Sequence, residues 1–425
     1  MLGVERAELT QCPKCGHPLT KPQEGYSWCP ACEWQLDEGL KEPGQRVAFR
    51  LDKAMFNQFA DRPPGRPGWT SSSVVLTVIA IVLWLLVLSA FIGGIWLVVA
   101  TFPSVLVLLG LALIGLALLV RPRLGRSPQK RLLLNRDSAP TLFSLVDRVA
   151  VAAGAPIPEH IVVDPDYNAS YGRVGLRQTA VLQIGIPLWI ILTPGMRVAL
   201  LAHELGHRVN GDPTRGLIVR PALTTFAELA DWTGANISLH SILVRGHNTA
   251  PIEVVVWLIS RIFLGVHLGL TALGMRDHQR SEYMADGISS KVAGSRSAAQ
   301  LLDWLTLLPE IAIALAYNAD TVPPKRWRDL GEKIAASRGA ALPELRQLSR
   351  RQTSLWSSHP PSGLRSQMIA AWPQYDPQVH LSDEDSAQID SELSAWYAAT
   401  HRKLLGTREY SESGIPPPAI ASRTD

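Results

Sequence analysis

Charge is scarce in this chain. Asp, Glu, Lys and Arg make up 18% of 425 residues, hydrophobic residues make up 47%, and the net charge is only +4. So small an excess over so long a chain excludes a general nucleic-acid binder, whose basic surface would show in the balance. The deficit is concentrated in one place: no charged residue occurs from Pro67 to Val120. Val74 to Val120 is almost continuously apolar. That run is about twice the roughly 20 residues that one membrane helix needs, so it reads as a transmembrane hairpin over 74–120. Its turn falls at Gly93-Gly94 or near Thr101-Phe102-Pro103. The run starts too late and lasts too long for a signal peptide, and a buried soluble hairpin of this length would carry some charge.

Cysteine is scarcer still. There are four, Cys12, Cys15, Cys29 and Cys32, written CPKC and CPAC. Two C-x2-C knuckles can close a tetrahedral thiolate shell around one zinc ion. The flanks of the hairpin support this reading over disulfides. Arg46, Arg50, Lys53, Arg62 and Arg66 precede it; Arg121, Arg123, Arg126, Lys130, Arg131 and Arg136 follow it. Both flanks are basic, which places both in the cytoplasm, where disulfides are disfavoured. A redox CxxC unit would need a thioredoxin-like domain, and the first 45 residues are too few. We therefore expect a structural zinc ribbon over 8–38, with Trp28 and Trp34 packed on it. Its expected partner is protein and not nucleic acid.

The remaining chain divides into a Pro/Gly-rich linker over 39–73, a main domain over 130–372, and a segment over 373–425 holding a helix at 383–404 and a disordered tail. Helical spacing of Leu142, Leu145, Val146 and Val149 predicts a helix over 137–154. Ile161–Val163 and Thr179–Gly185 read as strands. Segments 216–243, 251–274, 277–293 and 295–308 read as helices. Glu253, Arg261 and His267 interrupt 251–274, and a central Arg is costly in lipid, so that helix is expected to lie against the membrane or to line a cavity.

Thr193-Pro194-Gly195 opens a helix, with Thr as N-cap and Pro in the first turn. That helix carries LLAHELGH at 200–207. His203 and His207 sit one turn apart on one face and can share a zinc ion, while Glu204 can take a proton from water bound to it. Gly206 costs helix stability, about 1 kcal/mol against Ala, and admits another backbone close to the metal. A metzincin is excluded, because Asn210 and Pro213 stand where Gly and His are needed. The third ligand is then a downstream glutamate. Glu228 and Glu282 are both candidates. Asp286, four residues after Glu282 on the same helical face, favours Glu282, since the second carboxylate can orient a ligand histidine.

HELGHRVNGD, RSEYMAD and SSHPPSGLR, in that order after an apolar hairpin, resemble the HtpX group of membrane zinc metallopeptidases, relatives of the CAAX prenyl proteases and of the mitochondrial protease Oma. The resemblance covers roughly 74–372. It implies that His203, His207 and Glu282 bind catalytic zinc, that Glu204 is the base, and that Asp286 orients a ligand. It further implies that His359 faces the site and helps hold the oxyanion, and that Arg365 anchors its segment or supports a carboxylate. NASYGRVG at 168–175 resembles the stretch that precedes the active helix there. Asn168 and Ala169, with Leu182 and Ile184 on an edge strand at 179–185, are expected to meet an extended peptide.

The expected fold is mainly α with a small β-sheet: a gluzincin metallopeptidase domain preceded by a transmembrane hairpin and an N-terminal zinc ribbon. The expected activity is a zinc metalloendopeptidase of the cell membrane, multi-pass, with catalytic domain and N-terminus cytoplasmic. It would hold one catalytic and one structural zinc and act on misfolded or damaged membrane proteins. A dedicated processing protease and a non-catalytic ribbon adaptor are the alternatives. Neither the ribbon nor the stretch after 373 belongs to the usual HtpX pattern.

Overall fold

A computed structural model of the chain describes residues 10–19, 28–37, 40, 43–65, 70–121, 133–174, 177, 179–210, 219, 222–227, 229–230, 250–353 and 359–412. Glu228, Asp231, most of the helix expected over 216–243 and the tail from 413 lie outside the described residues.

Each cysteine pair sits on a tight turn. The Cys12 N–H donates to His17 O, and Gly16 N–H donates back to Cys12 O, both at 2.8 Å. Gly16 has φ +73°, a left-handed position that favours glycine. The second turn repeats the pattern through Cys29 N to Trp34 O at 3.0 Å and Glu33 N to Cys29 O at 2.8 Å. Trp28 is buried, but Trp34 is only partly so.

The stretch expected to be linker contains a helix, α1 (Pro43–Phe59). Ala48, Asp52, Met55 and Phe59 fall at helical spacing and are buried. The Pro/Gly clusters on either side hid that pattern, and the helix needs a partner surface from distant sequence to bury it.

The hairpin consists of α2 (Ser71–Ala100) and α3 (Leu106–Leu119). The turn is at Thr101–Val105, the second of the two expected places, and not at Gly93-Gly94. Gly94 instead marks a helix crossing. A Cβ built there would meet Gly110 O at 2.7 Å, and one on Gly110 would meet Gly94 O at the same distance. Small residues of this kind let apolar helices approach where lipid offers no hydrophobic drive. Thr70 caps α2, accepting from Ser73 N at 3.1 Å.

The sheet order is β1-β2-β4-β3, with β1 (Leu133–Leu134), β2 (His160–Asp164), β3 (Ala169–Val174) and β4 (Thr179–Gly185). β2 and β4 are parallel; the other pairs are antiparallel. This corrects one expectation. β4 is an interior strand, its two edges taken by β2 and β3, and Leu182 and Ile184 are fully buried core residues. The edge is β3. Alternation alone cannot say which strand of a sheet is outermost.

α4 (Pro140–Ala153) lays Leu142, Leu145, Val146 and Val149 into the core. Short α5 (Ile186–Ile191) leads into α6 (Pro194–Asn210), the helix of the HELGH motif. The two helices expected over 251–274 and 277–293 are one continuous 44-residue helix, α7 (Ala250–Ala293). α8 (Ser295–Tyr317) runs beyond its expected end. Then come α9 (Trp327–Arg338), α10 (Leu342–Leu348), α11 (Ser362–Ala371), α12 (Asp383–Glu392) and α13 (Ser394–Glu412). The helix expected over 383–404 is thus two helices, broken at Leu393.

Ser71–Ala100, Glu253–Met275 and Ser295–Tyr317 are long and apolar enough to cross a membrane. The third is engaged in the domain. Its Asp303 accepts from Arg346 Nε at 2.8 Å and Nη2 at 2.7 Å, and Glu310 is held by Arg338. The C-terminal pair α12–α13 is also built in. Arg197 of α6, fully buried, donates to Asp390 Oδ1 at 2.6 Å and Ser386 Oγ at 3.0 Å. Glu392 accepts from the N–H groups of Thr141 and Leu142 at 3.0 and 3.1 Å, capping α4 where unpaired donors collect.

Candidate metal centre

α6 is amphipathic in an unusual sense: one face enters the core and the other carries the chemistry. Leu200, Leu201, Ala202 and Leu205 are buried in the core, His203 and His207 meet Glu282 of α7, and Glu204 is buried at the cavity wall. The start is fixed by Arg197 N donating to Thr193 O at 2.9 Å, with Pro194 in the first turn. Gly206 serves close packing: a Cβ there would lie 3.2 Å from Ala285 Cα on α7. Ser289 Oγ adds a hydrogen bond to Ala199 O at 2.8 Å. The crossing brings Glu282, 75 residues after His207, onto the two histidines.

The donor atoms lie close together, each histidine against a different oxygen of Glu282. His203 Nε2 lies 3.2 Å from His207 Nε2 and 3.5 Å from Glu282 Oε2, and His207 Nε2 lies 3.3 Å from Glu282 Oε1. A tetrahedral zinc with bonds of about 2.0–2.1 Å requires ligand atoms about 3.3 Å apart. Glu282 is fully buried, and its Oε1 has no hydrogen-bond donor. A buried, undonated carboxylate oxygen 3.3 Å from one imidazole nitrogen, in a carboxylate whose other oxygen lies 3.5 Å from a second, fits a cation, which would help to offset its desolvation.

Other groups close the site. Arg365 of α11 donates from Nε and Nη2 to the two oxygens of Asp286, at 2.8 and 2.7 Å. Asp286 Oδ1 is also 3.1 Å from His203 Nδ1. His359 Nδ1 sits 2.6 Å from Glu282 Oε2, so the HPP histidine joins the donor cluster itself.

Electrostatics follow from burial and these contacts. Burial disfavours a proton on His203 and Arg365 opposes it too, but hydrogen bonds to Asp286 and Glu282 prevail and raise it to about 9. His207 is driven down to about 3, first by burial and then, against the pull of Glu282, by His203 and His359. Burial alone would raise Glu282, yet His207 and His359 hold it well below the carboxylate range. Glu204 moves the other way: burial raises it, and the neighbouring imidazoles offset only part of that.

A cavity of about 230 Å³ opens beside His203, Glu204 and His359. Asn168 and Ala169 line it, as do Tyr167, Leu188 and Leu302. Leu182 and Ile184 are not among its walls. Sequence reasoning missed Ser289; its signal was available, since 282, 286 and 289 share one helical face. It also missed the leucines from α5 and α8, which carry no local mark.

The second cluster is the ribbon. Cys12 Sγ lies 3.6 Å from Cys32 Sγ and Cys15 Sγ 3.4 Å from Cys29 Sγ, with all four sulfurs mutually within 4.8 Å. No disulfide joins them. Zinc–sulfur bonds of about 2.3 Å imply sulfur separations of about 3.8 Å, which this cluster approaches.

A family model described as Peptidase family M48 matches residues 137–373. Among curated proteins, the chain is 26% identical over 155 residues to "Protease HtpX homolog" of Janthinobacterium sp. (strain Marseille), covering 36% of this chain and 52% of that protein. It is 27% identical over 154 residues to the homologue of Nitrosomonas europaea, with the same coverage. It is 26% identical over 172 residues to "Protease HtpX" of Haemophilus influenzae (strain PittEE), covering 40% and 60%. The chain thus spans about half the length of the curated relatives it matches, and no solved structure matches it. The family match takes in more than half the chain, from α4 through α11, and on that extent the protein belongs to peptidase family M48.

Proposed function

We propose that this chain is a membrane-anchored, zinc-dependent endopeptidase of the HtpX type, cutting misfolded or damaged membrane proteins at the cytoplasmic face. The convergence of His203, His207 and Glu282, with Glu204 buried beside them, carries this reading. A zinc ion held there would lower the pKa of water and polarise a peptide carbonyl.

The chain's own residues do the rest. Glu204 takes the proton from the attacking water and passes it to the departing amine. Its raised pKa suits both halves of that transfer, because a base that is too weak or too strong fails one of them. Asp286 and Arg365 fix the ring of His203 and neutralise one another, so the fixing adds no net charge beside the metal ligands. His359, oriented through Nδ1 by Glu282, lines the cavity where charge develops on the carbonyl oxygen and helps to stabilise it there. An extended substrate adds to the outer edge of β3, next to Asn168 and Ala169 on the cavity wall.

The ribbon binds a structural zinc. Basic flanks hold both ends of the hairpin inside, and the exposed apolar surfaces of α2, α3 and the first half of α7 meet lipid. Glu204→Gln in a casein or self-cleavage assay is the direct test. Turnover should fall by roughly 10²–10⁴ with metal content unchanged; equal turnover by variant and parent would reject the mechanism.

A further inference from the structure

One short segment, Arg346–Thr353, lies between the ribbon and elements that carry the HELGH centre. On its outer side it receives the ribbon. Trp28 Nε1 donates to Gln347 Oε1 at 3.0 Å, and Gln347 Nε2 donates to Pro30 O at 3.1 Å. Arg350, 2% exposed, donates to Glu33 Oε1 at 2.6 Å and lies over the Phe49 ring of α1 at 4.4 Å. Leu348 packs against Trp28, Leu36, Leu40 and Phe49.

On its inner side the same segment supports the peptidase residues. Ser349 Oγ accepts from Gly363 N at 3.2 Å, and a Cβ on Gly363 would come 2.3 Å from Arg346 O. The start of α11, two residues before Arg365, therefore rests directly on it. Thr353, six residues before His359, donates to Asp52 Oδ2. Asp52 Oδ1 accepts from Gln279 Nε2 at 2.6 Å. Gln279 lies one turn before Glu282 on α7. Asp52 thus bridges α7, which carries Glu282, to the segment on which the start of α11 rests; Glu282 in turn meets His359 at 2.6 Å.

Asp52 is 1% exposed, on a helix outside the stretch matched by the family. A buried carboxylate is a poor choice for stability alone, since an apolar group of similar size often does as well. Held by two side-chain donors from separate segments, it fixes their relative placement instead. We propose that the ribbon and α1 form a built-in positioning device for the metal centre, with Asp52 as the positioning residue that sets Glu282 against His359. The inference rests on the peptidase reading of that centre. The metal occupancy of the ribbon then governs the rate at a site it does not touch.

The test uses full-length protein in detergent, with a quenched fluorescent peptide derived from casein as the hydrolysis probe. Hydrogen exchange over 279–286 and 362–368 and metal content are the other readouts. Asp52→Ala and Thr353→Val should each lower kcat roughly tenfold, with KM unchanged and catalytic metal retained. Exchange over 279–286 should quicken in both. Asp52→Asn keeps an acceptor for Gln279 and should restore most of kcat. Cys29→Ser should reproduce the loss while removing the ribbon's metal. Unchanged kcat and exchange in folded Thr353→Val and Asp52→Ala protein would overturn the proposal. So would a loss in Asp52→Ala that Asp52→Asn leaves unrepaired and that comes with faster exchange everywhere. Should Asp52→Ala not fold, isosteric Thr353→Val decides. A parent that cuts nothing would defeat the peptidase reading, and the exchange arm would still judge the positioning device.

Discussion

The two donor clusters of this molecule are made in opposite ways. The ribbon draws four thiols from two tight turns within 21 residues, a set able to close a shell around one ion. The HELGH centre draws its donor groups from α6 and α7, sets His359 from before α11 against them, mixes imidazole with carboxylate, and keeps a buried acid beside an open cavity. A closed shell of one ligand type holds a fold together; an open, mixed shell with a general base at hand can do chemistry. Local turns suffice for the first. The second requires the whole domain to fold, because Glu282 reaches the histidines only through the α6–α7 crossing.

Experiments that remove one cluster at a time sharpen this contrast. The largest effect is expected for Glu282→Gln. It should release the metal from the HELGH centre and reduce casein hydrolysis by about a thousandfold or more, since a ligand and the charge it supplies vanish together. The ribbon's metal should stay, so metal analysis should show one ion lost and one kept. Arg365→Lys comes next. Lysine cannot reproduce the two-pronged bond to Asp286, and metal affinity at the HELGH centre should drop by roughly 10–100-fold, read by competition with a chromogenic chelator. Cys29→Ser should invert the first result, sparing the HELGH metal and lowering hydrolysis only about tenfold. A complete loss of hydrolysis with HELGH metal in place would break the division of labour drawn above.

The smallest effect concerns pH. Burial, against hydrogen bonds from Thr353 and Gln279, raises Asp52 from 3.8 to about 6. The folded state then binds its proton more tightly than the unfolded state. Its contribution is full below about pH 4 and is lost as pH rises through about 6. Thermal unfolding of Asp52→Asn should lack this term. The stability difference between parent and variant should therefore change by about 2 kcal/mol between pH 4 and pH 7, in the direction of a relatively weaker parent at pH 7. A pH-independent difference would contradict the shift.

Much of both clusters was legible in the sequence, for reasons that differ. C-x2-C and H-E-x-x-H are local: the spacing alone places the atoms once turn or helix is assumed. The hairpin was legible because lipid demands length and lack of charge. Glu282 could be favoured over Glu228 only through its neighbour Asp286, a weaker kind of evidence. The assignment of β4 as an edge failed because strand order is set by pairing partners distant in sequence, and Leu182 looks the same on either kind of strand. The linker reading failed at α1 because its buried face, including Asp52, has meaning only against α7 and α11. The break at Thr101–Val105 was one of two places the sequence allowed, and the continuity of α7 across residues 274–277 removed a boundary expected there.

Taken by itself, the sequence settled which residues could bear chemistry: periodicity and spacing dictate who shares a turn or a helical face, and apolar length dictates what can enter lipid. Tertiary structure settled which of them meet. It brought a glutamate across 75 residues to two histidines, put β3 and not β4 at the sheet's rim, and seated the ribbon on the segment that leads to His359. Such contacts join parts of the chain that no local rule relates, and they form only when burial of a common core makes their approach favourable.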